Sequence, residues 1–540
     1  MDVPRAIFDD DVQQHDRLIN IPGALAALES GLRDNPATSA RPLLVRVHLQ
    51  NFWKLPQLIE HAAKLCGLRL PQRPALRVEG LDELPTALEQ HLDLLRNDLR
   101  GTALHLDDSD HVPRMVIDNL AQSCRARPEE RTHLLRLLGV LADTVFIGPL
   151  TFHLDVSNLC NTDCVFCGLH SGLLRPGDQL LHGRRITPGW ERARISRELF
   201  HELIQDIALC GAGEDLLFTG EGEPLTHPEF PTMVRAAKAR GAHLTVFTNG
   251  LLLDQSLARL LVEQRVDLLY WSLSAASAQT FARVQPSQPA GAFERTVGQV
   301  RKLLELRRSS NAPGPRVVLA HVLVKQNVHE CLRVFELARE LGVEIVRYQL
   351  AHSCGPGFES NLIGPQELEL AAEQIQRARE LARDCGITVL SNIDAQLAAA
   401  GRSLGQGGSS DRWSTELISE AGCLAGWFFS RAFSDGSLSF CCHDKIVGDL
   451  TSERFCDIWR SQRLREIRRA ARLFDPQHDN PELGAGPAGG PLIGPDCDTC
   501  GNYEIIARAM HDLTRLGLWP IVQRERAEAR RFHRLNSDYS

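Results

Sequence analysis

Three cysteines, Cys160, Cys164 and Cys167, lie close together directly after an apolar run that predicts a β-strand. Their Cys-x3-Cys-x2-Cys spacing supplies three thiolates from one short loop, and thiolates are the ligands of iron–sulfur clusters. Three thiolates on a four-iron cluster leave one iron free to bind another molecule. The alternatives are a zinc site that lacks its fourth ligand and cysteines that only fill the core.

A second group of residues that could take part in binding or catalysis is the glycine-rich turn Gly220-Glu-Gly-Glu-Pro224, which follows the second predicted strand. The turn lacks the Lys-Ser/Thr pair of a phosphate-binding loop, and its two carboxylates have the wrong charge for phosphate. They have the right charge for an ammonium group. An ordinary acidic strand-to-helix turn is the alternative.

The elements that must position these residues alternate between strands and helices. Helical patterns cover residues 195–209, 229–240, 255–264, 292–308 and 329–341. Short β-branched runs lie at residues 150–157, 215–220, 243–249, 267–275, 316–324 and 344–351. Strands separated by helices of this length predict right-handed βαβ units and a parallel sheet, which places functional loops at the carboxyl ends of the strands.

The cysteine triplet, with Phe166 between its last two members, and the Glu223 turn resemble the signature of the radical S-adenosylmethionine (SAM) superfamily. The resemblance implies an α/β fold with a six-stranded partial barrel. It also implies a [4Fe–4S] cluster on Cys160, Cys164 and Cys167 that binds SAM at its open iron. Glu223 would bind the amino group of SAM, with Gly222 and Pro224 shaping the turn.

The same resemblance implies further SAM contacts at the ends of later strands. Thr248 and Asn249 end the third strand and would line the barrel mouth. Ser272 after the fourth strand would contact the ribose, with Ser274 as the alternative, and Asn327 after the fifth would contact the ribose or the carboxylate. For each of them the alternative is a structural polar cap.

A second cysteine set lies towards the C-terminal end: Cys423, the pair Cys441-Cys442, and Cys497-Asp-Thr-Cys500. A Cys-x2-Cys turn that converges with two distant thiolates holds zinc or an iron–sulfur cluster. The order of these cysteines resembles the SPASM/twitch extension of radical SAM enzymes, which implies an auxiliary [4Fe–4S] cluster. We take Cys423, Cys441, Cys497 and Cys500 as its ligands, with Cys442 as the alternative to Cys441.

Composition bounds the remaining possibilities. The chain has 540 residues, 43% of them hydrophobic, with no apolar run near the ~20 residues that span a bilayer. Its fifteen cysteines without an export signal indicate metal binding in a reducing, cytoplasmic compartment. We predict an N-terminal α/β domain (1–148), a radical SAM core (149–400), a linker (401–411), an auxiliary-cluster domain (412–505) and a C-terminal helical segment (506–540).

The resemblance implies that the protein cleaves SAM to a 5′-deoxyadenosyl radical, which abstracts hydrogen from a peptide or a small molecule. The auxiliary cluster would accept an electron in a net oxidation or cross-linking, and an external donor such as flavodoxin or ferredoxin would supply reducing electrons. The alternatives are an RNA-modifying enzyme, against which the net charge of −8 argues, and a non-enzymatic iron–sulfur or zinc scaffold.

Overall fold

The computed structural model describes residues 131–141, 145, 147–174, 189–212, 214–351, 358–390, 414–442, 445–473, 497, 500–520, 522–523 and 525–527. Residues 1–130 of the predicted N-terminal α/β domain and the predicted linker at 401–411 lie outside the described residues.

The chain divides into two compact units. The smaller comprises Met1–Gly148, Leu209–Gly211 and Arg508–Ser540, and the larger comprises Pro149–Ala208 and Ala212–Ala507. In the smaller unit, the buried Arg136 donates a hydrogen bond from Nε to the Gly148 carbonyl at 2.9 Å. Both cysteine sets belong to the larger unit, which therefore carries the chemistry.

One sheet organises the larger unit. Its strands are β1 (Thr151–Asp155), β2 (Asp215–Thr219), β3 (Leu244–Thr248), β4 (Leu268–Ser272), β5 (Arg316–Leu323), β6 (Ile345–Leu350), β7 (Thr388–Val389), β8 (Phe429–Ala432), β9 (Ser437–Ser439) and β10 (Ile446–Asp449). Their order is β10-β9-β8-β1-β2-β3-β4-β5-β6-β7. From β8 to β7 every neighbouring pair is parallel, whereas β9 and β10 pair antiparallel as hairpins.

Helices connect the parallel strands, as βαβ units require. In chain order, the α-helices of the described residues are α1 (Arg131–Leu141), α2 (Arg197–Leu209), α3 (Phe230–Ala239), α4 (Gln255–Glu263), α5 (Ala278–Val284), α6 (Ala292–Ser309), α7 (Cys331–Leu341), α8 (Pro365–Cys385), α9 (Thr415–Ala421), α10 (Ala425–Phe428), α11 (Phe455–Arg460), α12 (Gln462–Leu473) and α13 (Tyr503–Arg515). Helix α1 precedes β1, α2 to α10 lie between parallel strands, and α11 to α13 follow β10. Each of the six strands and five helices predicted for the core is present, with ends shifted by a few residues. None of the described helices is both long and apolar enough to cross a membrane.

The C-terminal segment contributes to the same sheet as the core strands. Strand β8 pairs with β1, so that Arg431 lies opposite His153 and Ala432 opposite Leu154. The six predicted strands are therefore the centre of a larger sheet. A segment nearly 300 residues downstream in sequence covers the edge that β1 would otherwise expose.

The two faces of the central strands differ in burial. On one face the side chains are buried against the helices. There Trp271 donates a hydrogen bond to Thr296 Oγ1 on α6, and Tyr348 donates one to the Cys331 carbonyl on α7. This face is the helix-covered core. The opposite face carries partly exposed side chains, which include Thr219, Phe247, Tyr270, Ser272 and Arg347. We call it the open face.

Candidate functional site

The first cysteine set forms a loop that begins five residues after the end of β1. The sulfurs of Cys160 and Cys164 both approach Thr162 Oγ1, at 3.3 and 3.6 Å. The backbone N–H of Cys167 donates to the Cys164 carbonyl at 2.8 Å, which closes the Cys-x2-Cys turn. The three thiols therefore lie on one compact loop at the carboxyl edge of the sheet.

Burial makes the thiols of this loop hard to ionise in the metal-free protein. Burial, with smaller contributions from the neighbouring Cys167 and Cys160, raises the pKa of Cys164 to about 12. Metal binding must displace these protons, so occupancy will be strongly pH-dependent. Among the described residues no three His, Cys, Asp or Glu side chains meet the geometry of a single bound ion. A cluster accepts wider spacing, because each thiolate binds a different iron. The donor set thus fits a cluster.

The glycine-rich turn packs directly against the cysteine loop. The N–H groups of Gly222 and Glu223 donate to the carbonyls of Ser157 and Leu159 at 3.1 and 2.8 Å. A Cβ atom on Gly222 would lie 2.4 Å from the backbone carbon and oxygen of Asn158. Glycine is required here because two backbones approach more closely than a side chain allows.

Glu223 connects three elements through its side chain. Its carboxylate accepts hydrogen bonds from Thr248 Oγ1 and from the Asn249 N–H, both at 2.8 Å, and from the Leu225 N–H at 3.2 Å. Burial raises the pKa of Glu223 to about 7, while these hydrogen bonds lower it. Burial and, more weakly, the nearby Glu223 carboxylate also raise the pKa of Cys160. Glu223 therefore lies beside the first cysteine set.

Thr248 and Asn249 meet the same site from the end of β3. Besides its backbone bond to Glu223, Asn249 donates from Nδ2 to Asn161 Oδ1 in the cysteine loop at 2.7 Å. Its own Oδ1 accepts from the Leu251 N–H at 3.0 Å. The structure thus brings together the predicted residues of the cysteine loop, the Glu223 turn and the β3 end.

The remaining predicted SAM contacts differ in accessibility. Ser272 is partly exposed on the open face, whereas Ser274 is buried and its Oγ accepts from the Val322 N–H at 3.1 Å. Asn327 is completely buried, and its amide contacts three backbone partners at 2.7 to 2.9 Å. Ser272 is free to meet a ligand, while a SAM contact by the Asn327 side chain would require exchange of its backbone bonds.

One network beside the first cysteine set was not predicted from the sequence. The backbone N–H of His170 lies 3.4 Å from Cys167 Sγ, and its ring Nε2 lies 2.7 Å from the Glu221 carbonyl. The His170 ring stacks on Trp190 at 5.6 Å, and Trp190 Nε1 donates to Glu221 Oε2 at 2.8 Å. Through His170 and Trp190, these contacts form a further connection between the cysteine loop and the glycine-rich turn, in addition to the backbone bonds of Gly222 and Glu223.

The second cysteine set combines residues from three segments. Contact with the Cys442 thiol, followed by burial, raises the pKa of Cys500 well above its usual value. Burial raises the pKa of Cys423 to about 12, with smaller effects from Cys497 and Cys442. A Cβ on Gly501 would lie 3.2 Å from Cys442 Sγ. The structure groups Cys423, Cys442, Cys497 and Cys500, while Cys441 Sγ lies 4.0 Å from Ser439 Oγ.

Ser414 supports the second cysteine set, and it was not predicted from the sequence. It is fully buried, and its Oγ donates to the Cys497 carbonyl at 2.5 Å and accepts from the Cys500 N–H at 2.9 Å. The hydroxyl therefore closes the Cys-x2-Cys turn from outside. A serine 83 residues before Cys497 gives no local signal of this role.

Family profiles match two stretches of the chain. Residues 154–338 match the Radical SAM superfamily. Residues 423–482 match SPASM, described as an iron–sulfur cluster-binding domain. The first stretch contains the first cysteine set, the Glu223 turn and the ends of β3 to β5, and the second contains Cys423 and the Cys441-Cys442 pair.

Curated relatives include three proteins of different activities. The tungsten-containing aldehyde ferredoxin oxidoreductase cofactor-modifying protein of Pyrococcus furiosus is 26% identical over 198 residues, covering 36% of this chain and 49% of that protein. The AdoMet-dependent heme synthase of Methanosarcina barkeri is 26% identical over 308 residues, covering 56% of this chain and 79% of that protein. A PqqA peptide cyclase of Granulibacter bethesdensis is 23% identical over 248 residues, covering 45% of this chain and 59% of that protein. The chain thus spans only about half of the first of these relatives.

Solved structures with a similar chain path include Streptococcus suis SuiB bound to the precursor peptide SuiA. The match covers 72% of this chain and 81% of that chain, at 14% sequence identity and a TM-score of 0.46.

Proposed function

The chain belongs to the radical SAM superfamily and carries a SPASM domain, and we propose that it cleaves SAM reductively to oxidise or cross-link a peptide or small molecule. The observation that supports this most strongly is the docking of the glycine-rich turn on the cysteine loop. Gly222 and Glu223 bond to the backbone just before Cys160, which puts the acidic turn beside three thiols.

In this proposal Cys160, Cys164 and Cys167 hold a [4Fe–4S] cluster. When bound, that cluster supplies one open iron for SAM and the electron that cleaves it to methionine and a 5′-deoxyadenosyl radical. Gly222, Glu223 and Pro224 form the surface for the SAM amino group. Thr248 and Asn249 keep the Glu223 carboxylate oriented, and Ser272 faces the space where a ribose would lie. The dry, helix-covered face of the sheet excludes water from behind.

For the second centre we propose Cys423, Cys442, Cys497 and Cys500 as ligands, in place of the set with Cys441. The contact between Cys442 and Cys500 and the position of Cys442 over Gly501 support this choice. Four protein thiolates would leave no iron open for substrate. A centre of that kind suits electron transfer, so its role would be to take up the electron left on the oxidised product.

The names of two relatives, a heme synthase and a peptide cyclase, support the proposal that the substrate is a peptide or a small molecule. We propose an external electron donor such as flavodoxin or ferredoxin, and a cytoplasmic location. No feature of the described residues favours RNA modification over these substrates.

The test is anaerobic reconstitution with iron and sulfide, reduction with dithionite, and addition of SAM. We expect 5′-deoxyadenosine and methionine in equal amounts, and none without reductant. Iron-loaded protein that binds SAM but forms neither product would contradict the proposal. Neighbouring genes offer a separate indication, since a short precursor peptide would favour peptide over small-molecule chemistry.

A further inference from the structure

An ion pair with a buried carboxylate joins β1, the strand before the first cysteine set, to β8, a strand that lies between Cys423 and Cys442 of the second set. Asp155 is the last residue of β1 and is completely buried. Arg431 on β8 donates to Asp155 Oδ2 from Nε at 3.0 Å and from Nη2 at 2.6 Å. The pairing of β8 with β1 places both residues on the open face of the sheet.

The same guanidinium also contacts the second cysteine set. Its Nη1 donates to the carbonyl of Cys442 at 3.3 Å, and its Cζ lies 4.4 Å from the centre of the Phe433 ring. The cation is thus fixed on one side by a buried carboxylate and on the other by the backbone of a candidate ligand. Asp155 Oδ1 is buried and has no hydrogen-bond partner within the described residues.

We propose that Asp155 and Arg431 are positioning residues that set the reduction potential and the retention of the metal centre on the second cysteine set. The inference rests on the proposed function, because it requires that centre to form. Neither Asp155 nor Arg431 belongs to a cysteine set, so their role would be electrostatic and separate from metal ligation.

The reason is the sign of the two charges. Reduction adds negative charge to the centre, so a guanidinium beside the Cys442 carbonyl stabilises the reduced form and a buried carboxylate disfavours it. In the intact pair the two effects partly cancel. Removal of one charge leaves the other uncompensated in a region of low dielectric, where its effect is larger than in water.

The experiment compares midpoint potentials from electron paramagnetic resonance titrations of reconstituted protein. Arg431→Gln should lower the potential of the second centre, and Asp155→Asn should raise it. We expect each shift to be on the order of tenfold in the reduction equilibrium, about 59 mV for one electron. The double variant should lie near the wild type, and because it removes both charges it remains usable if a single variant folds poorly.

Arg454→Gln is the matched control. Arg454 also pairs with a buried carboxylate, Asp206 on α2, and its described contacts include neither cysteine set, although its side chain is more exposed than that of Arg431 (58% against 17%). It should leave the potential unchanged. Iron content gives a second readout, with a selective loss from the second set expected in Arg431→Gln.

Opposite shifts in the two single variants support the inference. Shifts of the same sign, unchanged potentials, or an Arg454→Gln shift of equal size would overturn it, as would a wild type without a second centre. If the second centre forms and SAM is not cleaved, only the proposed function fails.

Discussion

The two cysteine sets differ in how the chain assembles them. The first comes from eight consecutive residues on one loop, and its three cysteines are partly exposed residues. The second draws on three segments between residues 423 and 500, and Cys423 and Cys500 are buried. A local set of three thiols suits a cluster that binds a ligand, because one iron is left without a thiolate, whereas a dispersed set of four suits a cluster that exchanges only electrons.

The largest expected effect comes from removing the first set. In the triple variant Cys160→Ala, Cys164→Ala and Cys167→Ala, iron should fall from about eight to about four per chain. Formation of 5′-deoxyadenosine should drop below detection, because no open iron remains. Iron analysis and product chromatography measure both. Cys385→Ala, which removes an exposed thiol on α8, is the control and should change neither.

The second set can be tested at two adjacent residues. Cys442→Ala should lose about four irons, because its thiol contacts Cys500 and lies over Gly501. Cys441→Ala should keep them, since Cys441 Sγ lies near Ser439 Oγ. Iron counting and the paramagnetic signal of the reduced centre distinguish the two variants. The reverse result would restore Cys441 as the ligand.

The close approach between the glycine-rich turn and the cysteine loop is tested with Gly222→Ala. The new Cβ would lie 2.4 Å from the backbone of Asn158, so turn and loop must separate. We expect a loss of roughly 1–3 kcal/mol of stability and a SAM cleavage rate lower by at least about tenfold. The control is Gly298→Ala on α6, where a new Cβ would have no atom within 4 Å. This substitution should leave the stability of the protein unchanged or raise it slightly. Equal behaviour of the two variants in thermal unfolding would refute the close approach.

The last expected effect is the pH dependence that Glu223 contributes to the stability of the metal-free protein. Burial raises its pKa to about 7 from an ordinary value of 4.5. The folded state therefore binds this proton more tightly than the unfolded chain, and the stabilisation present below about pH 4.5 is lost as the pH rises through 7. The change is at most about 3 kcal/mol.

Melting temperatures between pH 5 and 8 measure this contribution as the difference between wild type and Glu223→Gln. Glu229→Gln is the control, because the hydrogen bond from Arg197 lowers the pKa of Glu229 below 4.5, so that this group should add no slope between pH 5 and 8. A wild-type profile that parallels the Glu223→Gln profile would show that Glu223 titrates normally.

Much of the fold could be predicted because its signals are local. Apolar runs and helical periodicity located β1 to β6 to within a few residues, and the spacing of Cys160, Cys164 and Cys167 lies within one loop. The pairing of β8 with β1 has no such signal, because its partners are separated by nearly 300 residues. Prediction therefore treated the C-terminal segment as a separate extension, whereas it lengthens the central sheet.

The same distinction applies to individual side chains. Cys441 and Cys442 are adjacent in the sequence, so spacing alone does not choose between them, and their orientation depends on how the segment after β9 packs. The contacts of Ser414 and the ion pair of Asp155 with Arg431 depend on tertiary structure in the same way. Glu223 was predicted from its motif, but its bonds to Thr248 and Asn249 required the neighbouring strand.

The contrast between an open and a closed centre is tested most directly by electron paramagnetic resonance of reduced protein with and without SAM. Two variants are compared, one that retains only the first cysteine set and one that retains only the second. SAM should change the signal of the first-set variant and leave that of the second-set variant unaltered. A SAM-dependent change in the second-set variant, or none in the first, would contradict the assignment of the open iron.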